Sequence, residues 1–367
     1  MSRTALYETH IENGAKMTGF SGWSMPVSYS GIREEHRAVR SGCGIFDAGH
    51  MGEIEITGPG AEMFCQWLVT NDVTRMADMS VQYNLLCNEE GGILDDLMVY
   101  RFSGSRFILC VNASNTARNL EWISSHAGAF DAGVRDLSRE FSLIAVQGPD
   151  SAKVAAGALG GDARLPGRFC VADFQRGGEA FISGTGYTGE DGFEIFVPWD
   201  SAPELWAALC DGATMCGLGC RDTLRLEMGY TLYGNEIDES TNPFEANLGR
   251  YVKMEKGDFC GRDALVRVLE AGPGRALCGF VMDEPGIARS GCRVFCEETE
   301  AGKVTSGTMS PSLNAALGLA MMDSGAVARA RSAGIRVEIR NHRKKAAITD
   351  PPFRAKGGRA TGEAGTS

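Results

Sequence analysis

Gly91-Gly92-Ile93-Leu94-Asp95-Asp96-Leu97-Met98-Val99-Tyr100 sets two carboxylates side by side, between a glycine turn and an apolar run that reads as a strand. Successive side chains of an extended segment point to opposite faces, so Asp95 and Asp96 cannot both join Leu94, Met98 and Tyr100 on one surface. One acid can be solvated while the other enters a pocket. Aspartate is also common and well solvated in turns, and the doublet taken alone favours that plainer role.

A third acid lies in Gly192-Phe193-Glu194-Ile195-Phe196, where alternation puts Glu194 on the face of Phe196. A carboxylate on a half-buried strand needs partners, because burying it unpaired is costly. An internal ion pair with Arg221 is one solution. Recognition of a flat ligand edge that presents two adjacent N–H donors is another, since a carboxylate can accept both together. Just upstream, Gly184-Thr185-Gly186-Tyr187-Thr188-Gly189 fits the dinucleotide pattern G-x-G-x-x-G. That fingerprint must open a helix, whereas Glu190-Asp191-Gly192 leads into the alternating run Phe193 to Val197, so no nicotinamide or flavin site is expected. The glycines are expected to let a turn pack tightly against a flat ligand ring, with Tyr187 supplying an aromatic face or edge.

The chain has 367 residues, of which 43% are hydrophobic and 23% charged, enough for two or three well-packed domains. Its net charge of −11 argues against a nucleic-acid binder, which would need a basic face. The basic runs Arg329 to Arg336 and Arg340 to Lys345 read as solvated strand edges. Twelve cysteines are scattered, mostly inside apolar runs, as core thiols would be. Cys216/Cys220 and Cys292/Cys296 have a spacing that could suit zinc, but neither pair has a nearby histidine, and no metal is expected. No secretory signal precedes Tyr7, and no apolar run approaches the ~18 residues of a membrane span, so a cytoplasmic protein is expected.

Three-and-four spacing places Phe64, Trp67 and Leu68 on one helix face, and Leu205, Ala208 and Leu209 on another. Ser201-Ala202-Pro203-Glu204 reads as a capping box opening the second helix. Strand patterns appear at Glu53 to Ile56, Phe107 to Val111, Leu143 to Val146 and Phe193 to Val197. Ala271-Gly272-Pro273-Gly274-Arg275 marks a boundary, beyond which helical period disappears. The short runs Cys278 to Met282, Ala316 to Met321, Ile335 to Ile339 and Lys345 to Ile348 suggest a small β-barrel. Residues from Lys356 to Ser367 are expected to be disordered.

Read with Leu6-Tyr7-Glu8-Thr9-His10, Gly22-Trp23-Ser24-Met25-Pro26, Gly44-Ile45-Phe46-Asp47, Gly217-Leu218-Gly219-Cys220-Arg221-Asp222 and Thr305-Ser306-Gly307-Thr308-Met309-Ser310-Pro311, these segments resemble the T-protein family, the aminomethyltransferases of the glycine cleavage system. The resemblance implies an α+β fold: two interleaved α+β domains over residues 1–270, a C-terminal β-barrel over 276–353, a tail from 354 to 367, and folate in the central cavity. It implies transfer of the methylene carbon of an aminomethyl-lipoyl group, carried by the lipoylated H protein, to tetrahydrofolate with release of ammonia. Asp96 matches the functional aspartate and Asp95 is left a structural role. Glu194 matches the pterin-binding glutamate. Arg221, Tyr83, Asn112, Tyr187 and Met51 match folate neighbours, and Arg289 matches an arginine near the lipoyl arm. No covalent enzyme intermediate is required, and His10, His36 and His50 read as structural or surface residues.

The chain departs from the family at Gly19, at Ala48-Gly49 and at Arg250-Tyr251. These departures bear on the one-carbon donor. A folate-dependent demethylase or methyltransferase acting on a small sulfonium, amine or methyl ether is therefore the alternative. A folate-binding relative that assists iron–sulfur assembly would carry a Lys-Gly-Cys-Tyr-x-Gly-Gln-Glu-type segment, which is not found here.

Overall fold

In a computed structural model the described residues are 1–160 and 164–354, so the tail expected to be disordered lies outside them. Ile93–Ser103 is the second strand of a five-stranded sheet ordered Ser80–Cys87, Ile93–Ser103, Arg106–Val111, Gly52–Thr57, Gly133–Asp136. Period-two alternation sorts its side chains. Leu97 and Val99 join Ile54, Ile56, Leu109 and Val111 in a core covered by Phe64 and Leu68 of helix Ala61–Leu68 and Ile123 of helix Thr116–Ala127. Met98, Tyr100 and Phe102 turn the other way. Leu94 departs from the expected face and packs with Leu97 and Val99. It precedes Met98, where antiparallel pairing with Arg106–Val111 begins, so no ladder to that neighbour pins its direction.

The second face meets a six-stranded sheet ordered Val171–Gln175, Glu179–Ser183, Gly192–Pro198, Phe141–Gln147, Gly44–Asp47, Thr214–Met215. Phe181 and Phe196 stack at 4.2 Å between ring centroids, and Tyr100 meets both edge-on at 5.7 and 5.3 Å. Each such fully buried aromatic contributes about 1.5–3 kcal/mol by leaving water. On the outer face, Ile144, Val146, Ile182, Ile195 and Val197 pack on Leu205, Trp206 and Leu209 of helix Ala202–Cys210. Alternation then requires Glu194 to share the inner face with Phe196, as its spacing predicts.

The expected capping box does not form. Ser201 lies in a 3-10 turn with helical backbone angles, so its hydroxyl donates to the Arg176 carbonyl rather than capping the helix. Glu204 accepts from Arg176 at 2.9 Å. Lys256 does cap a helix end: its ammonium donates to the carbonyls of Gln66, Val69 and Asn71, at and just beyond the C-terminus of helix Ala61–Leu68.

The C-terminal strands close into a six-stranded barrel ordered Arg275–Met282, Ala315–Asp323, Thr299–Ser310, Arg293–Cys296, Ile335–Ile339, His342–Ile348. Phe280, Val294, Val304, Ala320 and Val337 fill it. Helical structure does not vanish there: Ser324–Ala333 is a helix whose Ala326 and Ala330, one turn apart, pack on the barrel core. Arg329 and Arg331 therefore sit on a helix and not on a strand edge, whereas Arg343, Lys344 and Lys345 sit on strand His342–Ile348, paired there with Glu338, Val337 and Arg336.

The chain sorts into two compact units. The first comprises Met1–Leu86, Leu94–Arg221 and Glu255–Cys260; the second comprises Cys87–Ile93, Asp222–Met254 and the chain from Gly261 onward. All twelve cysteines are free thiols. Cys216 and Cys220 cluster with buried Glu35, whose carboxylate already accepts the N–H groups of Tyr29, Gly31 and Gly217. No helix among the described residues is long and apolar enough to cross a membrane.

Candidate active site

Strand Ile93–Ser103 delivers the two aspartates to different surroundings. Asp95 is wholly buried on the helix side, where the Asn112 N–H donates to Oδ2 at 3.0 Å and the Asn112 Nδ2 donates to Oδ1 at 2.7 Å. Helix Thr116–Ala127 adds Asn115, immediately before its first turn, and Asn119, one turn on, whose amides donate at 2.9 and 2.5 Å. Burial, and then the charge of Asp96, push the Asp95 carboxyl up to about 7. Asp96 is only half-buried and accepts the Tyr83 hydroxyl at 2.9 Å and the Asn112 Nδ2 at 2.8 Å.

Across the inter-sheet core, Glu194 pairs in register with Ala145 and Ser183. The Thr185 hydroxyl donates to Glu194 Oε2 at 2.6 Å and lies 2.6 Å from the Ser183 hydroxyl. Tyr100 buries its hydroxyl beside Ser183 and Thr185, outside hydrogen-bonding geometry, and its acidity is suppressed by burial and by the Glu194 charge. Burial pushes the Cys110 thiol well above its usual range, and the charges of Glu53, Glu194 and Asp95 add to this while Arg221 opposes it.

Gly184 to Gly189 runs from one strand to the next without opening a helix. Its close approaches are internal: a Cβ on Gly184 would stand 2.2 Å from the Gly167 carbonyl oxygen, and one on Gly186 2.0 Å from Gln147 Oε1. Arg221, on helix Leu218–Glu227, stacks its guanidinium over Tyr187 at 4.9 Å. No ion pair joins it to Glu194 among the described residues, so the bland partner for that carboxylate is not used. His50, beside Met51, is fully buried with Nδ1 unpartnered, and burial holds it down to about 4. Met51 packs against the inter-sheet core. His10 is structural, its Nε2 lying 2.8 Å from buried Asp47.

The expected residues thus form two groups in the first unit: Asp96 with Tyr83 and Asn112, and Tyr187 with Arg221, while Glu194 is held by Thr185. Arg289 belongs to the second unit, is exposed, and donates to the Gly307 carbonyl at 3.1 Å. Asn115, Asn119 and Thr185 were not singled out in the sequence, and His50 was read there as structural or surface. For the asparagines a signal existed, because Asn112, Asn115 and Asn119 follow three-and-four spacing and can converge on one point.

Residues 6–256 match the model for the GCVT N-terminal domain, and residues 275–354 match that for the glycine cleavage T-protein C-terminal barrel domain. An aminomethyltransferase of Chlorobium luteolum is 43% identical over 365 residues, covering 96% of this chain and 98% of its own. One of Alkaliphilus oremlandii is 41% identical, covering 96% and 97%. The crystal structure of glycine cleavage system aminomethyltransferase T from Bartonella henselae superposes with a TM-score of 0.90 at 33% identity, over 97% of this chain and 98% of that one. The chain belongs to the glycine cleavage T-protein family. Its activity is aminomethyl transfer in glycine cleavage, and the small-donor demethylase alternative is not favoured.

Proposed function

We propose that this chain takes the methylene carbon from an aminomethyl group on the lipoyl arm of an H protein and gives it to tetrahydrofolate. Two folate N–H bonds are replaced by N–C bonds while the carbon's bonds to nitrogen and sulfur break. The protons leave with ammonia and the reduced lipoyl thiol. No redox cofactor is needed for that balance, and the buried free thiols suit a reducing cytoplasm.

Two differently held carboxylates on the two faces of one inter-sheet core carry this reading. Glu194 has Oε2 occupied by Thr185, and no bond to Oε1 is seen among the described residues. That oxygen can accept the N–H edge of a pterin, and Arg221, Tyr187 and Met51 are the proposed flanking contacts. Asp96 keeps its charge oriented by Tyr83 and Asn112. A fixed anion there stabilises positive charge developing on the folate nitrogen and the iminium-like carbon, and can move a proton. Arg289 is proposed to meet the lipoyl arm because its segment resembles the family's at that position.

Incubation with tetrahydrofolate and aminomethylated H protein tests the assignment. Stoichiometric ammonia and 5,10-methylenetetrahydrofolate are expected. Demethylation of a sulfonium or methylamine donor, with no ammonia from the H-protein adduct, would replace it.

A further inference from the structure

We propose that Asp95 is a positioning residue that keeps the proton of the Asp95–Asp96 pair, so that the pair's single negative charge rests on Asp96. The inference depends on Asp96 being the reacting carboxylate, but its central claim concerns the free protein. Adjacent carboxylates are bridged by one amide: Asn112 Nδ2 reaches Asp95 Oδ1 at 2.7 Å and Asp96 Oδ1 at 2.8 Å. Two like charges so close do not both ionise readily, and the more buried one holds the proton. Asp95 is 0% exposed, whereas Asp96 is only half-buried.

A neutral Asp95 must donate as well as accept, and Asn119 supplies the acceptor. Its Oδ1 is buried with no partner, while the other end of the same amide lies 2.5 Å from Asp95 Oδ2. That separation is short for N–H···O and normal for O–H···O. A half-turn of the Asn119 amide presents Oδ1 to the Asp95 hydroxyl. Asn115 and the Asn112 N–H then hold the remaining acceptor sites. The amides around Asp95 would by themselves favour its ionised form, but burial and Asp96 outweigh them and bring it to about 7.

Other charged or titratable groups come to Asp95 from the described elements packed around it. From its own strand comes Asp96, and from Arg106–Val111 the Cys110 thiol, itself held neutral by burial. From helix Thr116–Ala127 comes Arg118, whose guanidinium is bonded to the Leu94 carbonyl at 2.5 Å. Tyr83 from Ser80–Cys87 is bonded to Asp96.

Infrared difference spectroscopy of the free enzyme across the pH range, with labelled aspartate, tests this without folate or donor. One buried protonated carboxyl should titrate near pH 7. It should vanish in Asp95→Asn, and should titrate about one unit lower or more in Asp96→Asn, where the neighbouring charge is gone. Asp95→Asn mimics the neutral acid, so it should keep turnover within about tenfold of wild type and lose the neutral inflection in its pH profile, whereas losing a working acid–base group costs about 10²–10⁴. If Asp95→Asn fails to fold, the Asp96→Asn shift decides alone. Absence of the titrating carboxyl in wild type, its survival in Asp95→Asn, or an unshifted titration in Asp96→Asn would each overturn the proposal.

Discussion

The Arg221 guanidinium lies over Tyr187 with its central carbon 4.9 Å from the ring centroid, although both side chains are only half-buried. Such a contact uses the planar cation, and a lysine cannot reproduce it. Arg221→Lys should therefore keep the charge and still weaken folate binding by about 0.5–2 kcal/mol. Calorimetry with tetrahydrofolate measures it; an unchanged affinity would remove Arg221 from the binding site.

Glu194→Gln preserves shape but turns one acceptor oxygen into a donor. Either Thr185 or the pterin then faces a mismatched group, and folate affinity should fall by about 1–3 kcal/mol. Unchanged affinity in this variant would detach the pterin from Glu194.

Asp96→Asn should fold and bind folate yet lose most aminomethyl transfer, because size is kept while charge and proton acceptance are lost. Single-turnover ammonia release is the readout. Normal release in Asp96→Asn would exclude Asp96 as the reacting carboxylate.

Arg289→Ala should raise the H-protein concentration needed for half-maximal rate and leave folate affinity untouched, since the assigned contact is to the arm. A matched loss with a free small amine donor would argue that Arg289 acts on the fold instead.

His50 makes acid sensitivity measurable. Its folded pKa of about 4 lies below its ordinary 6.5, so the unfolded chain binds more protons between those values. The stability it supports is present above pH 6.5 and drains away as pH falls toward 4, by about 3 kcal/mol at most. Urea melts at pH 7 and pH 4.5 should converge in His50→Gln relative to wild type; an undiminished gap would place the acid sensitivity elsewhere.

The site's framework was legible because both of its acids ride on strands with clear alternation: Phe196 declares the face of Glu194, and Met98 with Tyr100 that of Asp96. The barrel was legible from short strand runs between turns. The helix Ser324–Ala333 was not, because its buried face is made of alanines and carries no apolar stripe. The burial of Asp95 was hidden for a different reason: its partners are neutral amides from a later strand end and helix, and only the folded chain brings them to it. Ser201 shows the limit of a local motif, since one extra 3-10 turn redirected both of its capping groups to Arg176.

Lys256 also sets a timetable for synthesis. It is 190 residues from Gln66, the first of the carbonyls it binds. At about 5–20 residues per second, roughly ten to forty seconds separate emergence of that helix from arrival of its lysine. Throughout that interval the Gln66, Val69 and Asn71 carbonyls lack the ammonium that binds them in the folded chain. The first unit therefore cannot be completed as its sheets leave the ribosome; its final locking waits for a late and very short stretch of chain.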